Sequence, residues 1–327
     1  MSVIDIHTHM FGHGWLDMLK KHGQPNYSAD KREDNRDYLI EKGAPACAFE
    51  PEAFDYDLRV KAMDGFGIDI SIVSLTSPSV FWGGPEISLE TAIVTNDEMA
   101  EGRQAYPDRI RWFASLPWQY PELAIEELGR CHKNGASGVM CLANIQGQHL
   151  IDPAFVPIWK EIDRLQLPVL VHPTAPFGAK EAEFQIERIL MPSTGFMFDT
   201  TLAIARMVVD GFFDRFPSIK LIVSHGGGYL PYVSGRLDLF FEVETLVKMK
   251  ITDPPSSYLN RLYYDSIVYD PGALDLCLEI AGPGHVLFGT DFPMPADIPK
   301  LYNLIDRLPQ EQVDAIKGKN AETLFSL

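Results

Sequence analysis

Along the chain, short apolar runs alternate with longer stretches in which apolar residues recur every three or four positions. The runs fall at residues 3–6, 68–75, 110–115, 138–142, 168–171, 220–224, 262–265 and 285–288. Near-continuous apolar runs of this length predict strands buried on both faces. Between them, residues 57–66, 88–106, 121–132, 153–165, 200–216, 229–247 and 272–281 carry helical spacing. Pro121 and Pro153 stand in first-turn positions, where a missing N–H leaves no bond unmade.

Strands alternating with helices predict a parallel sheet. Eight such units in 327 residues predict an α/β fold, a (β/α)8 TIM barrel, forming a single domain over residues 1–327. No glycine-rich phosphate loop follows the first strand, which argues against a Rossmann arrangement. Residues 20–54 break the alternation. This segment is polar, carries the run DKREDNRD at 30–37, and is too long for an ordinary barrel connection. Its place after the first strand predicts a flap over the top of the barrel.

Composition narrows the function classes. Hydrophobic residues make up 46% and charged residues 22%, values of a globular chain. Lys plus Arg is 28 against 45 for Asp plus Glu, a net charge of −17. Such a surface repels phosphate backbones and anionic membranes, so neither nucleic acid nor membrane is an expected partner. Cys47, Cys131, Cys141 and Cys277 form no CxxC pair and read as reduced core thiols. The opening MSVIDIHTHM lacks a basic n-region and an apolar h-region, and the expectation is a cytoplasmic protein.

The histidines carry the chemistry. His7 and His9 follow the first strand in DIHTH, and residues two apart in an extended chain share one side. His172 follows PVLV, His225 follows KLIVS, and Asp291 follows HVLFGT. In a parallel barrel these strand ends lie on one face, the face of active sites. Five metal-type groups therefore converge from four strand ends. Neutral imidazoles with one carboxylate suit Zn2+, with Fe, Co or Mn as alternatives. His22, His132, His149 and His285 fall away from these ends, while His13 is close enough in sequence to reach the pocket. Asp265 and Ser266 end the seventh strand as candidates to face substrate, and Gly226, Gly227 and Gly228 are expected to permit close backbone approach.

These residues resemble the metal-dependent amidohydrolase superfamily. Within it they resemble the branch of aminocarboxymuconate semialdehyde decarboxylase and related decarboxylases. The likeness runs through DIHTH at 5–9, HP at 172–173, FPSIKLIVSHGGGYLPYVSGR at 216–236 and LFGTDFPMP at 287–295. It implies that His7, His9, His172 and Asp291 hold one divalent metal ion, usually zinc. It places His225 beside the ion as acid/base, so that His225 and Asp291 form the catalytic pair. Relatives with two ions carry a lysine or glutamate at the end of the fourth strand. Here that stretch reads GVMCLANIQG, consistent with one ion.

Arg236 matches an arginine that reaches the substrate carboxylate in the partner subunit, which implies a homodimer. The branch's second substrate arginine would fall in residues 41–57, where only Lys42 is cationic, and its pocket tryptophan has no counterpart in MPSTGFMF at 191–198. Phe196, with Met191 and Phe198, offers instead an apolar wall for an aromatic ring. The resemblance thus implies a mononuclear metal-dependent decarboxylase acting on a small aromatic or unsaturated carboxylic acid. A hydrolase of a lactone, amide or ester is the alternative on the same residues, and a hydratase of an unsaturated dicarboxylate a further one. A divalent cation can serve each of these reactions.

Overall fold

The computed structural model describes residues 2–31, 36–41, 44–183, 189–243 and 249–327. Part of the charged run, Lys42 and the last part of the predicted 229–247 helix lie outside them. The chain opens with β1 (Ile4–His9) and α1 (His13–His22). Then β2 (Tyr27–Lys31), β3 (Asp37–Glu41) and β4 (Ala44–Ala48) pair antiparallel in that order. The expected flap segment is thus the end of a helix followed by a small sheet. Its strands were not legible as strands, because YSADK and DYLIE show no strong alternation. The sheet depends on tertiary packing. Leu39 and Phe49 are buried, and Phe49 meets the rings of Phe11 and Trp15 at 5.3 and 6.2 Å.

The barrel follows. Helix α2 (Tyr56–Phe66) leads to β5 (Ile70–Ser74), α3 (Gly84–Ala105) to β6 (Ile110–Ser115), and α4 (Pro121–Lys133) to β7 (Gly138–Leu142). A two-stranded ribbon, β8 (Asn144–Ile145) with β9 (Gln148–His149), precedes α5 (Val156–Leu165) and β10 (Val169–His172). Helices α6 (Phe196–Val209) and α7 (Phe212–Arg215) lead to β11 (Leu221–Val223). Next come α8 (Leu230–Glu242), α9 (Pro255–Leu259), β12 (Tyr263–Asp265), α10 (Pro271–Ala281) and β13 (Val286–Leu287). The short helices α11 (Ile298–Asp306), α12 (Gln310–Asp314) and α13 (Asn320–Phe325) complete the chain.

Among the described residues, eight strands form one parallel sheet in the order β1-β5-β6-β7-β10-β11-β12-β13. Ile6 N donates to Phe288 O at 3.0 Å, which brings the last strand against the first. The predicted TIM barrel is the fold found. Its strands are buried apart from half-buried Ile70, Arg111 and Tyr263, and Trp15, Trp112, Trp118 and Trp159 are fully enclosed. Helix starts follow local chemistry. Asp55 accepts from Asp57 N and Leu58 N ahead of α2, and Asp270 accepts from Ala273 N ahead of α10, each satisfying amides that a helix start leaves free.

Several boundaries differ from the spacing. The predicted 200–216 helix begins at Phe196 and breaks at Gly211, whose φ is 74°. A Cβ there would lie 2.1 Å from Lys250 O. The predicted 153–165 helix opens with a 3-10 turn over Pro153–Phe155. The three C-terminal helices were not predicted. They are short and interrupted by a wide turn at Ala315–Lys319, so no long helical period builds up. No described helix is long and apolar enough to cross a membrane.

The glycines after β11 do permit close approach. Gly228 has φ 62° and ψ −122°, and a Cβ would meet Met197 O at 2.5 Å. Gly235 on α8 faces open space. Gly228→Ala is therefore expected to destabilise the fold by about 1–3 kcal/mol or more, whereas Gly235→Ala should be neutral or stabilising by up to ~1 kcal/mol. Urea unfolding of the two variants measures the contrast; equal effects would contradict it.

Candidate metal centre

Four strand ends build the centre. His7 and His9 project from β1 on one side, and His172 closes β10. His225 and Asp291 lie just past β11 and β13. The imidazoles meet edge to face: His7 to His9 and His7 to His172 at 5.1 Å between ring centres, and His9 to His172 at 4.8 Å. His225 lies 5.1 Å from His7 in the same measure. One donor atom each from His7, His172, His225 and Asp291 lie within 4.8 Å of one another. His9 joins through Nε2, 3.0 Å from Asp291 Oδ1. All five residues expected from the strand ends are thus brought together, with His225 as near as the rest.

The outer ring nitrogens set which way the inner ones face. His7 Nδ1 donates to Asp265 Oδ2 at 2.6 Å, and His172 Nδ1 donates to Pro173 O at 2.8 Å. His9 Nδ1 lies 3.2 Å from Ser74 Oγ. A donating Nδ1 leaves Nε2 with its lone pair turned inward, the tautomer that binds a metal. His7 Nε2 is buried and has no hydrogen-bond partner. Its nearest charged neighbour is Asp291 Oδ1 at 3.5 Å. A buried, unpartnered imidazole nitrogen facing a carboxylate and other imidazoles fits a divalent cation of borderline softness. His7, His9, His172 and Asp291 could hold it, with His225 within reach.

Electrostatics agree with that use. Burial pulls His172 well below the usual histidine range, and the neighbouring imidazoles of His9 and His7 add to the fall. Burial also lowers His9, against the opposing pull of Asp291. Both rings are held neutral, as ligands must be. Burial acts downward on His7 too, but the hydrogen bond and charge of Asp265 outweigh it and the net shift is upward. Asp291 resists the upward push of burial, because hydrogen bonds from His225 and His9 hold it well below the usual carboxylate range.

Asp265 does more than its place as a substrate-facing candidate suggested. Besides His7, it accepts from the amides of His225 at 2.8 Å, Gly226 at 2.9 Å and Ile267 at 3.1 Å. His225 has φ 53°, a left-handed conformation costly to a residue with a Cβ, and these bonds hold the turn in place. One carboxylate therefore orients His7 and the backbone that presents His225. Gly289 is needed for close approach, since a Cβ there would sit 3.0 Å from the Cβ of His7.

The rim is polar on one side. Asp199 on α6 accepts from Asn144 Nδ2 at 2.9 Å and Thr174 N at 3.0 Å, and Thr174 Oγ1 pairs with Ser77 Oγ at 2.8 Å. Asn144, just past β7, thus turns toward Asp199. Phe196 stands beside His172 with ring centres 6.5 Å apart. Phe198 is 41% exposed. Arg236 is exposed on α8 with its guanidinium over Phe240 at 5.3 Å. Among the described residues it makes no bond to the five central groups. His13 packs against Phe54 at 5.4 Å, at the start of α1. Asp199 escaped sequence reasoning because it lies inside a helix, where nothing in the spacing marks it.

Comparison with known proteins places these features in context. The profile of the amidohydrolase family matches residues 4–327. A 2-amino-3-carboxymuconate-6-semialdehyde decarboxylase of Dictyostelium discoideum is 29% identical, covering 99% of this chain and 88% of its own length. A gamma-resorcylate decarboxylase of Polaromonas sp. is 31% identical, covering 83% of this chain and 87% of its own. A dihydroxybenzoic acid decarboxylase from Polaromonas sp. was solved with bound manganese and the inhibitor 2-nitroresorcinol. It superposes with a TM-score of 0.82 at 26% identity, covering 100% of this chain and 97% of its own.

Asp199 makes the rim sensitive to pH. Its side chain is buried, and burial pushes its carboxyl up to about 6 despite the hydrogen bonds from Thr174 and Asn144. Folded Asp199 keeps its proton to higher pH than the unfolded chain does. Its stabilising contribution is full below the unfolded pKa and is lost as pH rises through about 6. Asp199→Asn, which does not titrate, should be less stable than the parent near about pH 4.5, with the gap narrowing by about 2 kcal/mol near about pH 7.5. Urea unfolding at both pH values checks this; a gap independent of pH would contradict it.

Proposed function

We propose a reaction for this chain, which belongs to the amidohydrolase family: it is a metal-dependent decarboxylase, a carbon–carbon lyase that removes CO2 from a small aromatic or unsaturated carboxylic acid. The observation that carries the reading is the convergence of His7, His172, His225 and Asp291 within 4.8 Å at the barrel mouth. It occurs in a chain whose relatives at 29–31% identity are decarboxylases. His7, His9, His172 and Asp291 are the proposed ligands of one divalent ion. Zn2+ is the proposed ion from the donor set; the manganese of the Polaromonas structure makes Mn2+ the second ion to try. When bound, the ion supplies a fixed positive charge and Lewis acidity at the mouth.

The chain's own residues supply the rest. Asp265 keeps the Nδ1 proton of His7 turned outward. Phe196, beside His172, offers its face to a substrate ring. His225 holds a proton and delivers it to the ring carbon that loses CO2. Asp291 Oδ2, 3.5 Å from His225 Nε2, keeps that imidazole aimed at the mouth. The bond between ring and carboxylate carbon breaks, its electron pair stays on the ring carbon, and the proton takes that position. Each turnover consumes one proton.

A second copy of the chain is the proposed partner. Tyr232, Arg236, Leu239, Phe240 and Val243 line one side of α8 and the residue just beyond it, and Tyr232 is 84% exposed. An apolar stripe at helical spacing around one arginine suits a homodimer in which Arg236 meets the substrate carboxylate of the neighbouring site. The sheet β2–β4 is the proposed flap of a single barrel domain. The four free cysteines suit a reducing, cytoplasmic setting.

The test is CO2 release from Zn2+- or Mn2+-loaded protein with hydroxybenzoates, aminobenzoates and muconate-type acids. Release on one member is expected. His225→Ala should keep the ion and lose about 10²–10⁴-fold in turnover. Silence across the panel with the ion bound would overturn the reading in favour of hydrolysis of a lactone, amide or ester. Arg236→Ala is expected to raise KM for the acid in a protein that sediments as a dimer; a fully active Arg236→Ala monomer would refute the shared site.

A further inference from the structure

Helix α2 buries a cation that the proposed chemistry does not use. Arg59 is 1% exposed, and among the described residues no carboxylate pairs with it. A buried charge without an ion partner is tolerated only where hydrogen bonds satisfy it fully. Burial draws Arg59 down to about 10, which leaves it charged at neutral pH.

Its hydrogen bonds fall around the metal centre. Nη2 donates to the carbonyl of His9. Nη1 donates to Thr8 Oγ1 at 2.8 Å and reaches Phe292 O at 3.5 Å. Nε donates to Glu52 O at 3.2 Å, and the guanidinium lies 4.7 Å over the Phe292 ring. Thr8 stands between His7 and His9, and Phe292 follows Asp291. The Phe292 carbonyl is held from two further sides, by His9 N at 2.7 Å and Thr8 Oγ1 at 2.8 Å.

That carbonyl matters because Asp291 has φ 63°. The left-handed conformation costs a residue with a Cβ roughly 1–2 kcal/mol, and it persists only where the surroundings over-determine it. The Asp291 amide is bonded to His7 O at 2.8 Å. One residue on, the carbonyl of Phe292 is held by the three donors above. Arg59 is the one of these that also grips the carbonyl of His9.

We propose that Arg59 is a positioning residue for the metal centre: its guanidinium fork ties the end of β1 to the Asp291 turn, so that His7, His9 and Asp291 face a common ion. The inference rests on the proposed metal site but not on the reaction. A lysine keeps the charge but cannot span a hydroxyl and two carbonyls with one ammonium group. Thr8→Val keeps the side-chain shape and removes the hydroxyl that relays Arg59 to Phe292 O.

The experiment titrates Zn2+ into metal-free parent, R59K and T8V, in competition with a chromophoric chelator. It also records Tm with and without Zn2+. Each variant is expected to bind Zn2+ about 10- to 100-fold more weakly, with a smaller Zn2+-induced rise in Tm. A merely structural arginine would lower both Tm values together and leave Zn2+ affinity unchanged. That result in R59K, or in T8V should R59K not fold, overturns the proposal. Parent protein that binds no Zn2+ overturns the metal site and this inference with it. CO2 assays do not enter, so failure of the decarboxylase reading is distinguished.

Discussion

The 2.6 Å hydrogen bond from His7 Nδ1 to Asp265 is the contact on which the rest of the centre depends. Both groups are buried in the barrel, where a charge is costly and a misdirected proton has no water to correct it. Because the carboxylate accepts the hydrogen bond from Nδ1–H, His7 Nε2 keeps its lone pair inward, beside Asp291, His9 and His172. The same carboxylate fixes the left-handed turn that presents His225. One side chain therefore sets the tautomer of a proposed ligand and the place of the proposed acid.

Around that contact, the barrel closes where the chemistry needs rigidity. The seam between β1 and the loop past β13 is bonded by Thr290 N and Asp291 N to His7 O and by His9 N to Phe292 O. Asp5 accepts from Thr290 Oγ1 at 2.6 Å inside the same seam. The strain at Asp291 is held by these bonds, and that at His225 by the amide bonds to Asp265, as expected where backbone geometry serves a site. The protein's net charge of −17 repels an anionic acid, so the mouth must offer compensating positive charge. A metal ion and Arg236 are the proposed sources.

Much of this was legible in the sequence, and the limits have physical causes. The eight barrel strands could be read because burial on both faces leaves continuous apolar runs. The histidines and Asp291 could be placed because each directly follows such a run. The sheet β2–β4 could not be read, since its short strands gain order from Phe11 and Trp15 rather than from their own pattern. Asp265 ends a strand as the ligands do, and sequence position does not say that it turns back to orient His7. Arg59 looks like one charge on an amphipathic helix. Its partners are chiefly backbone carbonyls, which no residue type announces.

The central claim is that the barrel mouth holds one divalent ion among the imidazoles of β1 and β10 and the carboxylate of Asp291. Anomalous diffraction from Mn2+-loaded crystals tests it most directly. The account predicts a single peak per chain, bounded by His7, His9, His172 and Asp291. Two peaks, or a single peak away from these residues, would contradict it.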